Sequence, residues 1–291
     1  MAVTGDTQLG PTKQELISEI AQRALISSST LLASARDVSV FASKGNSQIS
    51  FPKNTTLFSA ENRASAAAAT IQDVDFSKDT MDLDQRMIIA WLVDSDDEIE
   101  SRLDVQRELI DRAAREHARD VDAKLVAEME ASAITTTTAG SPSQDVVPEM
   151  RRVLLRNKAN PNNLWFAVSP EDEEALLKID PFVGADKYGS AVIPSGVLGT
   201  LYGVKVLMTP ELSSGQYFMY ESEGIAVGFQ RRPQFDEDNR PEYGPGAKIQ
   251  VLGQKYGVQA LQLGVPGGFK ADGTTALGAA ESALIVKDNN V

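Results

Sequence analysis

The residues best suited to chemistry are few. His117 is the only histidine in 291 residues, and so the only side chain whose unperturbed proton exchange falls near neutral pH. It stands among Arg115, Glu116, Arg119 and Asp120, a setting that suits a packed or solvated imidazole better than a base aimed at a substrate. Two acidic clusters could in principle hold a cation through carboxylate oxygens. Asp94, Asp96 and Asp97 precede a helix-forming run, where acids also serve the positive end of a helix dipole. Asp236, Glu237 and Asp238 open like a calcium-binding loop but lack its glycine and its terminal bidentate glutamate at the required spacing. There is no Gly-rich phosphate loop ending in Lys-Ser/Thr, no dinucleotide fingerprint, no His-Glu-x-x-His and no Gly-x-Ser-x-Gly elbow. The absence of cysteine removes disulfides and thiolate ligands. The sequence therefore predicts no enzyme, no cofactor and no metal site.

With chemistry so thin, the elements themselves carry the reading. A chain that is 42% hydrophobic can bury a sizeable core. No stretch approaches the roughly 18 apolar residues of a membrane helix, so no membrane partner is expected. Asp6, Lys13, Glu15, Glu19 and Arg23 stand where a secretion signal would be apolar. The net charge of -13 disfavours direct binding to phosphate backbones, where affinity rests on Lys and Arg displacing counterions.

Residues 1–36 look like an arm, with Leu16, Ile17, Ile20, Ala24 and Leu25 at helical spacing. Val38 to Ser43 and Gln48 to Phe51 look like short strands around the turn Lys44-Gly45-Asn46. A long excursion follows, and the chain returns through Met81 and Leu83 alternating with Asp82 and Asp84, then the apolar run Met87 to Val93. That pattern predicts a strand leaving a projecting ribbon and entering a core. Ser95 with Glu98 forms a capping box, and no Gly or Pro interrupts the segment to Ala131. Its apolar positions recur every three or four residues, with Glu108–Arg112, Asp111–Arg115 and Asp120–Lys124 as (i, i+4) pairs. This predicts one long helix. After a Thr/Gly/Ser/Pro linker at Thr135 to Pro142 the pattern is α/β: a helix over Ser143 to Lys158, a strand over Leu164 to Val168, and a helix start at Ser169-Pro170-Glu171-Asp172. Strands are expected at Val204 to Met208, Gln216 to Tyr220 and Ile225 to Phe229. An exposed polar loop should span Arg231 to Pro245, and a long strand pair Lys248 to Leu263, before a Gly-rich tail.

This order, together with Pro194 to Val206, Leu207 to Leu212, Asn163 to Glu171 and the helix text Arg115 to Met129, resembles the major capsid protein of tailed bacteriophages, the Hong Kong 97-like fold. The resemblance runs from about Val38 to Leu263. It implies an α+β chain with an N-terminal arm at 1–36 and an extended β-ribbon loop at 46–78 that lies over the next subunit. A peripheral domain would be made of 37–45, 79–140 and 247–264 with its spine helix at 95–131, an axial α/β domain would occupy 141–246, and a C-terminal tail 265–291. The implied function is self-assembly into pentamers and hexamers of an icosahedral shell that encloses DNA without binding it specifically. Copies of the chain, a separate scaffolding protein and a portal protein are the implied partners, with a decoration protein left open; assembly is expected in the host cytoplasm. Leu16, Ile20, Lys53, Phe58, Glu61, Arg63, Arg231 and Arg232 are the candidate inter-subunit contacts. Lys53 is also the one whose place in the loop matches a crosslinking lysine of some members. The rival readings are an encapsulin-type nanocompartment shell and, in a different class, an α/β ligand-binding protein or hydrolase.

Overall fold

The computed structural model describes residues 9–43, 45–55, 71–93, 105–137, 145–172, 176, 197–244 and 246–288. In chain order its main elements are α1 (Leu9–Ser28), β1 (Arg36–Asp37), β2 (Gln48–Asn54), β3 (Phe76–Asp82), β4 (Gln85–Val93), α2 (Val105–Ser132), β5 (Ile134–Thr135), α3 (Val146–Arg156), β6 (Leu164–Val168), β7 (Val197–Leu201), β8 (Val204–Met208), β9 (Tyr217–Glu221), β10 (Ile225–Asn239), β11 (Lys248–Ala260) and β12 (Ile285–Lys287).

A four-stranded sheet has the order β1-β10-β11-β4, and β11 runs antiparallel to both neighbours. Side chains alternate between its faces. Phe235, Leu252 and Tyr256 point to the inner face, where α2 buries Ile110, Ala114, Ala118, Val121, Leu125 and Met129. This 28-residue helix is about 42 Å long at 1.5 Å per residue. The expected start at Ser95, its capping box and the acids Asp94, Asp96 and Asp97 lie outside the described residues.

A six-stranded sheet has the order β5-β12-β9-β6-β8-β7. Its central strand β9 is buried at every residue because it is covered on both faces. Tyr217 and Met219 meet Val147, Met150, Val153 and Leu154 of α3, while Phe218 and Tyr220 share the core of Leu125 and Met129 of α2. The spine helix therefore sits between the two sheets and joins them.

Several expected elements come out differently. Val38 to Ser43 is not a strand: Ser39–Phe41 is a 3-10 turn, and the neighbouring strand is Arg36–Asp37. The single exit strand is two strands that belong to different sheets, β3 in a ribbon with β2 and β4 at a sheet edge. Only one face of β4 meets a core, where Ile89 and Trp91 pack against Phe235 and Leu252, while every second residue, Arg86, Ile88, Ala90 and Leu92, is exposed. Arg231 to Asn239 is not a loop but the second half of β10, whose register shifts at Phe229/Arg231 and Arg231/Gln234 absorb Arg232 and Pro233. Lys248 to Leu263 yields one strand, paired with β10 and β4 rather than with itself. Residues 265–288 are packed rather than a trailing tail, and β12 lies between β5 and β9. At Ser169 the helix start is visible: its hydroxyl accepts the Asp172 N–H at 3.2 Å and donates to the Asp172 carboxylate at 2.7 Å.

Candidate assembly surfaces

The arm is the first surface. Ile17 and Ala21 of α1 are buried with Ile110, Ala113 and Ala114 of α2 and with Phe235, and Leu25 is buried in the cluster of Ala118, Val121 and Leu125. Beyond the helix, Asp122 of α2 captures the turn at residues 29–31. Its carboxylate accepts from the Ser29 hydroxyl at 2.5 Å, the Thr30 N–H at 2.8 Å and hydroxyl at 3.1 Å, and the Leu31 N–H at 3.3 Å. Burial pushes the Asp122 carboxyl above the usual carboxylate range, and the bonds from Ser29, Thr30 and Leu31 pull it part of the way back. The arm is thus folded onto its own subunit. Of its candidate contacts, Ile20 remains exposed beside Ile26, and the Leu16 side chain lies outside what is described.

The ribbon is the second. β2 and β3 pair antiparallel from Gln48 opposite Asp82 to Asn54 opposite Phe76. Its base, Ile49, Met81 and Leu83, packs on Val38, Ala42, Ala226 and Leu261 on the outer face of the four-stranded sheet. Two glycines directly opposite each other, Gly228 and Gly257, make this seat possible. A Cβ on Gly257 would lie 2.1 Å from the Asp82 carbonyl oxygen, and one on Gly228 2.7 Å from the Met81 methyl. A clamp closes the seat. The Lys53 ammonium, with 11% of its side chain exposed, pairs with the Asp79 carboxylate at 2.5 Å and donates to the Leu263 carbonyl. The second Asp79 oxygen accepts the Gln262 and Leu263 N–H groups at 2.9 and 3.4 Å. Lys53 is therefore engaged within its own chain. Phe58, Glu61 and Arg63 lie outside the described residues. The returning stem, residues 71–76, leaves Ile71 92% exposed and Phe76 70% exposed, with Asp73 and Asp75 exposed between them.

The third surface is the remainder of that outer face. Arg231, Lys255 and Arg86 stand opposite one another across β10, β11 and β4. With Gln230, Gln234, Ile88 and the loop Gly45–Ser47 they line an open groove of about 580 Å³. Gln230 holds the loop by donating to the Ser43 and Asn46 carbonyls at 3.1 and 2.6 Å. The Arg231 guanidinium lies over Gly253, where a Cβ would meet it at 2.9 Å. Arg232 points elsewhere and pairs with Asp37 at 3.2 Å. Beyond the groove the face continues as an apolar strip of Ile88, Ala90 and Leu92. Sequence reasoning named Arg231 as a candidate contact but did not name Arg86, Lys255 or this strip, whose only local signal was the apolar run Met87 to Val93.

The residues first weighed for chemistry have structural employment. His117 is fully buried, its Nε2 lies 3.2 Å from the Leu252 carbonyl, and burial lowers its proton affinity, so the ring is neutral and Nε2 donates. Asp120 accepts from the Tyr256 hydroxyl at 2.5 Å. Asp236 and Asp238 lie on one face of β10 and Glu237 on the other, where it pairs with Lys248 at 2.9 Å and accepts from Gln250 at 3.1 Å. They do not converge as a cation loop would require.

No protein-family model matches the sequence, and no curated protein matches it. Solved structures do. A chain of Mycobacterium phage Che8 superposes with a TM-score of 0.68 at 15% identity, covering 89% of this chain and 91% of that one. A chain from the asymmetric unit of the bacteriophage PhiM1 mature capsid gives 0.61 at 12% identity, covering 89% and 86%. The virus-like particle from Pyrococcus furiosus gives 0.60 at 10% identity, covering 95% and 99%. The chain has the mixed α+β fold of these structures.

Proposed function

We propose that this chain is the major capsid protein of a tailed bacteriophage, a structural subunit that assembles into pentamers and hexamers of an icosahedral head enclosing the genome. The likeness to phage capsid chains over about nine-tenths of both partners carries the reading. In this reading the four-stranded sheet with α1 and α2 is the peripheral body, the six-stranded sheet with α3 the axial body gathered about capsomer centres, and the β2–β3 ribbon the stem of the loop that extends over the next subunit. A separate scaffolding protein and a portal are its partners during assembly, and a decoration protein would act from outside. The net charge of -13 suits a wall that does not adhere to packaged DNA. The role needs no catalytic step.

Negative-stain microscopy of the purified chain, alone and with the product of the upstream gene, tests this directly. Closed shells support it. A stable monomer in size-exclusion chromatography that a small molecule protects from heat favours a ligand-binding α/β protein instead. Shells that carry a co-purified enzyme, identified by mass spectrometry, favour a nanocompartment.

A further inference from the structure

Three cations stand side by side on the outer face of the four-stranded sheet. In the strand register Arg231 is opposite Lys255, and Lys255 is opposite Arg86. Like charges so placed destabilise a sheet. The net charge is -13, so acids are plentiful, yet among the described residues no carboxylate pairs with any of the three. An exposed arginine between like charges can relieve the repulsion by turning into solvent. The Arg231 guanidinium instead crosses to β11 and lies over Gly253, where a Cβ would stand 2.9 Å from it. Gly253 is two residues from Lys255 and is paired with Ile88 of β4, so the third charge is brought toward the other two. Lys255 is half-buried between them. One wall of the groove, the loop Gly45–Ser47, is fixed by the bonds that Gln230 donates to the Ser43 and Asn46 carbonyls.

We infer that this groove is a binding site for a small polyphosphate, two or more linked phosphoryl groups either free or carried by a nucleoside. The inference goes beyond the shell-subunit reading and does not depend on assembly. Two guanidinium forks match phosphate oxygens in pairs, and the ammonium adds a point charge between them. Three cations ask for about three negative charges, which linked phosphoryl groups supply, whereas one phosphoryl group carries about two at most. The groove volume of about 580 Å³ lies within the roughly 300–1,000 Å³ of small-molecule sites. Ile88, 61% exposed at the same groove, offers an apolar surface that a nucleoside base could cover. DNA is the poorer occupant, because three cations neutralise few phosphates and the net charge of the molecule repels the rest of the strand.

Isothermal titration of the full-length chain with inorganic tripolyphosphate, at fixed salt, tests this. One site per chain is expected, and orthophosphate and citrate should each bind at least tenfold more weakly. Neutralising the centre of the row in K255Q, or one flank in R86Q, should weaken tripolyphosphate about tenfold or more, and R231Q/K255Q should abolish saturable binding. Tripolyphosphate should raise the thermal midpoint of the parent and leave that of R231Q/K255Q unmoved. Without ligand, R231Q/K255Q should melt at or above the parent, since the repulsion is relieved, which separates a lost site from a damaged fold. A nucleoside triphosphate that binds tighter than tripolyphosphate, and loses that advantage in I88S, identifies the nucleotide as the source; equal affinities identify the free polyphosphate. The proposal is overturned by tripolyphosphate binding that R231Q/K255Q and R86Q leave unchanged, by the absence of saturable binding to the parent, or by citrate binding as tightly. It is also overturned by a short DNA oligonucleotide that binds through the row where tripolyphosphate does not. Whether the chain forms shells is read separately by microscopy, so failure of either reading leaves the other standing.

Discussion

The two sheets of this molecule are finished to different degrees. In the six-stranded sheet successive residues of β9 and β6 alternate between two cores, and no face of the central strands is left over. In the four-stranded sheet the inner face is closed by α1 and α2, while the outer face is covered only where the ribbon base sits on Gly228 and Gly257. One sheet completes itself, and the other ends in a groove, a cation row and an apolar strip. The open surface and the greater part of the sealed core thus lie on different elements.

Substitutions can break or sharpen that contrast. Phe218→Ala, in the sealed sheet, should cost about 3–5 kcal/mol of subunit stability in chemical denaturation, with shells lost only because folding is lost. Lys53→Met comes next. It leaves the Asp79 carboxylate buried without its cation, so about 3 kcal/mol should be lost, and ribbon amides should exchange hydrogen faster than those of β9. His117→Gln addresses the seam between helix and sheet. The folded-state proton affinity of His117 is lowered, so the unfolded chain binds the extra proton: the ring's contribution is complete above the unfolded value of about 6.5 and is lost as pH falls from there toward the folded value. The thermal midpoint of the parent should therefore drop between pH 7.5 and 5.5, and that of His117→Gln should drop less. The smallest effect on folding belongs to Leu92→Ser on the open face, within about 0.5 kcal/mol of the parent, together with reduced shell yield. Unfolding by Leu92→Ser would mean that the face is closed and the contrast mistaken.

What the sequence revealed follows the range of the interactions involved. The spine helix and strands β6 and β8 were legible because helical and strand periodicities are local, and Ser169 announced its cap through Asp172 three residues on. The second half of β10 was not: polar residues there sit on both faces, with Glu237 opposite Asp236 and Asp238, and the shifts around Arg231 break the alternation that would have betrayed a strand. The run Met87 to Val93 looked buried because periodicity cannot tell a face awaiting a neighbour from one inside a core. The cation row was invisible for a further reason. Arg231 and Lys255 meet through a strand pairing whose register is shifted, and Arg86 joins them only through a pairing to a strand far away in sequence. The arm was half legible: its apolar stripe was plain, but that Asp122 would bind it to its own subunit depends on a helix ninety residues away.

The ribbon's seat has a mechanical meaning. Tension applied to the ribbon would reach the body through main chain against main chain, Asp82 on Gly257, and through the Lys53–Asp79 clamp to the segment that follows β11. β11 is bonded to β10 from Lys248 to Ala260 on one side and to β4 from Lys248 to Tyr256 on the other. A pull along the ladder loads many hydrogen bonds at once, whereas a peel would break them singly, so β11 is the strand best placed to bear shear.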